Sequence, residues 1–138
     1  MSYKLDFRFE PDYLHVQAIG VQSLANLMAI AAECQEACKK HGYRKLLIDV
    51  QGMTGEISTA DVYKAGQEAS EKFELRLGIK TALVDTEENR KRFAFFETVA
   101  ANRGFYLRVF SEVAQAERWL RQIKDASTSS IANSTYSA

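Results

Sequence analysis

The sequence predicts an open α/β domain with a mostly parallel five-stranded sheet, and three observations carry that prediction. Strand-like and helix-like segments alternate from residue 45 onward, the links between them are short, and two strands precede the first helix. Short links between alternating strands and helices require right-handed crossovers and parallel pairing. The expected order is ββαβαβαβα, with an antiparallel N-terminal edge strand.

Tyr3, Leu5, Phe7 and Phe9 alternate with Lys4, Asp6, Arg8 and Glu10, the period of a strand with one dry face. Pro11-Asp12 marks a turn, and Tyr13 to Ile19 pairs back as the second strand before Gly20 ends it. Ser23 caps a helix to about His41, with Gly42 as a left-handed stop. Its apolar face is Leu24, Leu27, Met28, Ala31, Cys34 and Cys38. Lys45 to Val50 is a near-continuous apolar strand, the kind covered on both faces.

Ser58-Thr59-Ala60-Asp61 resembles a capping box, with Asp at the fourth position. It opens a helix to about Glu74 that buries Val62, Ala65, Ala69 and Phe73. Ile79 to Val84 is the fourth strand, closed by Asp85, and Thr86 caps a third helix ending at Gly104. Tyr106 to Phe110 is the fifth strand, and Ser111 caps a last helix through about Ile123. Residues 124–138 are small, polar and aperiodic, and read as a disordered Ser/Thr-rich tail after a single domain over 1–123.

Eighteen basic against eighteen acidic residues give a net charge of zero. Such balance supplies no long-range field toward nucleic acid or an anionic membrane, so neither is an expected partner. No apolar run approaches the roughly 20 residues of a membrane span. Met1-Ser2-Tyr3-Lys4-Leu5-Asp6 lacks the basic-then-apolar layout of a secretory signal. The expected location is the cytoplasm, and Cys34 and Cys38 agree with a reducing compartment.

Catalytic chemistry finds little footing. Sites of open α/β sheets lie beyond the carboxyl ends of the parallel strands, which here carry Asp49, Asp85 and Phe110. An aspartate ending the third strand suggests a phosphoacceptor of receiver type, but the acidic pair and the lysine of that pattern are missing. Asp49 is better explained as an acceptor for backbone N–H groups of the following loop. There is no GxGxxG and no P-loop. His15 and His41, the only histidines, lack a nucleophile at motif spacing. Cys34 and Cys38 share a helix face, but no further Cys completes a zinc site, so they read as small buried hydrophobes. No metal, cofactor or enzymatic activity is expected. Arg90-Lys91-Arg92 reads as a solvated charge cluster after Asp85-Thr86-Glu87-Glu88, with contact to an anionic ligand as its other use.

Two residues invite a binding role. Phe93, Phe96 and Ala100 form a stripe on the third helix, with Val99 at its flank, and Phe95 points away from it. Phe95 either widens the buried face or anchors a partner, most simply a second copy of the chain. Ser58 has three readings: an N-cap, which alone explains it, a phosphoacceptor whose charge would face free N–H groups, or a contact residue beside Gly55, Glu56 and Thr59.

The element order and the segment from Asp49 to Ala60 resemble the STAS domain, the family of the anti-sigma-factor antagonists and of the cytoplasmic domains of sulfate transporters. Its members place Asp-Leu-Ser, then Asp-Ser-Ser-Gly or Asp-Ser-Thr-Gly, between the third strand and the next helix. Asp49-Val50-Gln51 and Ile57-Ser58-Thr59-Ala60 stand there in this chain. The chain more closely resembles the bacterial stand-alone proteins similar to the sporulation anti-sigma-factor antagonist (SpoIIAA-like). That likeness is carried by Arg44 to Val50, Thr54-Gly55, Phe96 to Gly104, Arg108-Val109-Phe110 and Ala116 to Leu120. In the antagonists the first serine of the second motif is phosphorylated by a partner kinase that is also the anti-sigma factor. The resemblance makes Ser58 the phosphoacceptor candidate. Ile57 replaces the motif's acid and Ala60 its glycine.

The expected function is thus a non-enzymatic STAS-like regulatory domain that binds a protein partner, as a homodimer, in an anti-sigma-antagonist-type signalling system. Gly55, Glu56, Ser58, Thr59 and Phe95 are the candidate contacts. The alternative is a carrier or sensor of a small apolar or amphipathic, lipid-like ligand, held between the third helix and the apolar face of the first.

Overall fold

The computed structural model describes residues 3–55, 57–72, 78–102 and 106–122. Five strands and four helices alternate in the expected order: β1 (Tyr3–Phe9), β2 (Leu14–Val21), α1 (Leu24–His41), β3 (Lys45–Thr54), α2 (Thr59–Lys72), β4 (Lys80–Val84), α3 (Glu87–Asn102), β5 (Leu107–Phe110) and α4 (Val113–Leu120). The sheet order is β1-β2-β3-β4-β5. β1 is antiparallel to β2, with Phe7 opposite Val16, and all later pairs are parallel.

Strands β2 to β5 lie side by side in sequence order, so each right-handed crossover delivers its helix to the same face. Ile30, Cys34 and Cys38 of α1, Val62 of α2 and Phe93 of α3 accordingly share one core with Leu14, Val16, Ile48, Val50, Leu83 and Val109. Among the described residues α4 is the helix that packs on the other face. There Ala116, Trp119 and Leu120 pack on Tyr13, Leu47, Ala82 and Val84. Tyr13 donates its hydroxyl to Glu117 of the same helix, and Lys80 donates from Nζ to the carbonyl of Trp119 at 2.6 Å. A buried ammonium thus adds a charged donor to a carbonyl at the C-terminal end of α4, which also accepts the Gln122 N–H at 3.2 Å.

Helix α1 begins at Ser23, whose hydroxyl accepts the Asn26 N–H at 3.1 Å. It stops at Gly42, where a φ of 76° suits a residue without a Cβ. Its buried row is Asn26, Ile30, Cys34 and Cys38; of the expected face, Cys34 and Cys38 lie in that row, whereas Leu24, Leu27, Met28 and Ala31 are half-buried. Spacing by four keeps that row on one line, and Asn26 enters it because its side-chain amide donates to the Val21 carbonyl at 2.7 Å.

Three further details depart from the sequence reading. Phe9 is not in the dry stripe of β1: it is 54% exposed, with its ring 4.8 Å from that of His41 at the end of α1. β3 runs four residues past Val50, to Thr54. Ser111 does not cap α4, whose N-cap is Glu112 without a side-chain hydrogen bond; the Ser111 side chain instead bonds Glu87. At the open edge of β5 the N–H of Val109 donates to Glu97 of α3, which closes a position where another strand could pair.

Candidate functional site

The carboxyl ends of β2, β3 and β4 meet at a buried polar cluster. Gln22 follows β2, and its backbone N–H donates to the Thr54 carbonyl at the end of β3, 2.8 Å away. Its side-chain amide donates to Asp85 Oδ2 at 2.9 Å, at the end of β4. Asn89, in the first turn of α3, donates to Gln22 Oε1 at 3.1 Å and to Asp85 Oδ1 at 3.3 Å. Arg92 donates to Asn89 Oδ1 at 2.6 Å. One polarised chain thus runs from a guanidinium through two amides to a carboxylate, with every donor facing an acceptor.

Asp85 is 1% exposed. Burial raises its pKa above the usual carboxylate range, while bonds from Gln22, the Thr86 N–H and Asn89 pull the other way and the charge of Asp49 adds to the rise. Asp49 itself answers a local need. β3 carries one extra residue between the pairs Gln17–Asp49 and Ile19–Gly52, and the Asp49 carboxylate accepts the Gln51 N–H at 3.0 Å beside that bulge.

The tie from Gln22 to Thr54 fixes where β3 ends and the link to α2 begins. Gly55 turns the chain there with a φ of 90°, a conformation that favours glycine. Glu56 lies outside the described residues. Ile57 is 1% exposed and belongs to the large core, so an apolar peg pins the link. Ser58 and Thr59 come next and are exposed. The Ser58 hydroxyl accepts the Asp61 N–H at 3.1 Å and its carbonyl accepts the Val62 N–H at 3.0 Å, the geometry of an N-cap. Gly55, Ser58 and Thr59 thus share one exposed corner. Phe95 lies on α3, and its side chain falls outside the described residues, as do Ala69, Phe73, Phe96, Val99, Ala100 and the tail from residue 124.

His15 is buried on β2, with Arg8 Nη2 3.1 Å from its Nδ1. Burial, then the charge of Arg8, lowers its pKa, which favours the neutral imidazole. Cys34 and Cys38 are free thiols, fully buried. Among the described residues no group of three or more His, Cys, Asp or Glu side chains could hold a metal ion. Arg90 is paired with Glu87 at 2.8 Å, and Arg92 lies 3.9 Å from Glu88.

Sequence reading singled out Asp49, Asp85 and Ser58 but passed over Gln22 and Asn89. The spacing of Asp85 and Asn89, one helical turn apart at the start of α3, was the available signal. Nothing local marks Gln22, whose partners lie 63 and 67 positions away.

No family model matches the chain, and no curated protein matches it. Solved structures do. The chain is similar to an anti-sigma factor antagonist from Mycobacterium paratuberculosis, with a TM-score of 0.58 and 15% identity over 88% of this chain and 96% of that one. It is also similar to an uncharacterised Shewanella loihica protein with a SpoIIAA-like fold, at a TM-score of 0.48 and 17% identity, over 86% and 94% of the two chains. With its antiparallel β1, its parallel β2 to β5 and its four helices, the chain has the SpoIIAA-like fold of the STAS type.

Proposed function

We propose that the chain is a non-enzymatic regulatory domain that binds a protein partner through the corner between β3 and α2. It acts in the cytoplasm as a homodimer, in a signalling system of the anti-sigma-antagonist type. The observation that carries this reading is the contrast within the corner. Ile57 is locked in the core and Thr54 is held by Gln22, while Ser58 and Thr59 stand exposed between those anchors. A surface fixed in this way binds with little ordering cost. The likeness to an anti-sigma factor antagonist supports the same reading. In favour of a non-enzymatic role, the acid with the raised pKa, Asp85, is enclosed by amides that use its oxygens. No helix among the described residues is long and apolar enough to cross a membrane. The apolar row of α1 that a lipid carrier would need is filled, with Ile30, Cys34 and Cys38 at most 1% exposed.

The test compares native mass and partner capture from the chain's own host for the wild type, Ser58→Asp and Phe95→Ala. Either variant should change the oligomeric state or the captured partner while the circular dichroism spectrum stays the same. If both variants match the wild type in both readouts, this surface assignment is wrong. A phosphate mapped to Ser58 in protein from the host would add a switch to the corner.

A further inference from the structure

A second site lies where α4 meets β5. A cleft of about 530 Å³ is lined by Glu87 and Arg90 at the start of α3, Arg108 and Ser111 at β5, and Gln115 and Arg118 on α4. Its wall includes Phe110 and Trp119, whose ring centroids are 5.6 Å apart. Three guanidinium groups against one carboxylate leave an excess of two positive charges in a chain whose net charge is zero.

The three arginines are not equivalent. Arg90 is engaged by Glu87, and that pairing, with a bond from Ser111, holds the Glu87 carboxyl down to about 2. Among the described residues neither Arg108 nor Arg118 pairs with a carboxylate. Arg108 is nonetheless fixed in place. Its guanidinium carbon lies 5.5 Å from the Phe110 ring and 5.9 Å from the Trp119 ring. Stacking on aromatic rings orients a guanidinium while leaving its N–H donors available. Lys80 adds positive charge 4.6 Å from the centre of the Trp119 ring.

We propose that this cleft binds a small phosphorylated polyol, a ligand of the sugar-phosphate class. A phosphomonoester carries close to two negative charges at neutral pH and matches the excess charge. Two free guanidinium forks suit its oxygens. Gln115 offers a neutral donor and acceptor for hydroxyl groups, Ser111 Oγ, whose proton goes to Glu87, can still accept, and the volume lies in the range of small-molecule sites. The proposal goes beyond the protein-partner reading and uses none of its residues.

Trp119 is the single tryptophan of the chain, so its fluorescence reports on the cleft. Glucose 6-phosphate and inorganic phosphate are titrated into the full chain at constant ionic strength. Glucose 6-phosphate should give a saturable change in fluorescence and in calorimetry. Arg108→Gln and Arg118→Gln should each weaken it by about tenfold or more, the loss expected of one charge-assisted contact. Lys91→Gln, exposed and outside the cleft, should leave it unchanged. No saturable response, or one that survives the Arg108→Gln/Arg118→Gln double variant, overturns the proposal. Inorganic phosphate binding as tightly as the sugar phosphate overturns the polyol half and leaves a plain anion site.

Discussion

The side-chain amide of Gln22 donates to the buried carboxylate of Asp85 at 2.9 Å, while the backbone N–H of the same residue donates to Thr54 at 2.8 Å. Gln22 therefore joins three strand ends at once. The exposed corner at Ser58 depends on it although Gln22 itself is 4% exposed.

Replacing Gln22 by Ala should cost about 2–4 kcal/mol, because the acceptor oxygen of Asp85 and the donor of Asn89 are left buried without that partner. Urea denaturation reads the loss directly. A cost under about 0.5 kcal/mol, the range of ordinary surface substitutions, would mean that the cluster rearranges around the gap.

Asp85 gives the fold a pH dependence whose sign is fixed by burial. A carboxyl with a folded pKa above its unfolded value of 3.8 favours folding when protonated. Its contribution is complete below that value and is lost as pH rises through the raised one. Stability of the wild type relative to Asp85→Asn should therefore fall across this window and level off above it. A difference independent of pH from about 3 to 8, which spans the ordinary carboxylate range and neutrality, would show that Asp85 titrates normally.

Ser58→Ala removes the cap of α2 and should destabilise the domain by about 1 kcal/mol. Ser58→Asp keeps an equivalent acceptor and should stay within about 0.5 kcal/mol of the wild type. Thermal or urea melts of the two variants separate the structural duty of this serine from its proposed contact role. Equal losses in both would contradict the capping geometry.

Cys34 and Cys38 should resist alkylation in the native state. Burial pushes the Cys38 thiol up to about 12 and raises that of Cys34 as well, so the reactive thiolate is scarce near neutral pH. Labelling by iodoacetamide at about pH 8, close to the ordinary thiol value, should occur only as fast as the chain opens. Rapid modification of folded protein would contradict the packing of α1.

The order of elements along the chain and most of the helix caps were legible because their signals are local. Ser23, Gly42, Ser58 and Thr86 each sit at the helix end that their chemistry suggests. Ser111 carried the same signal and failed, since Glu87 from another element takes its side chain. Phe9 kept the alternation of β1 but lies beside His41, where the chain offers only partial cover. The cluster around Asp85 was half legible. Two of its members stand one turn apart, but Gln22 joins them only through the crossing of strands. The arginine cleft escaped for the same reason, its lining coming from α3, β5 and α4.

Among the described residues the sequential strand order places three helices on one face and the eight residues of α4 on the other. The domain is therefore lopsided in what it tolerates. A substitution beneath α1, α2 or α3 disturbs the core shared by those elements. Along α4, the outward residues Gln115 and Arg118 can vary without touching that core. Ligand preference can drift on the thin side while the thick side keeps the fold.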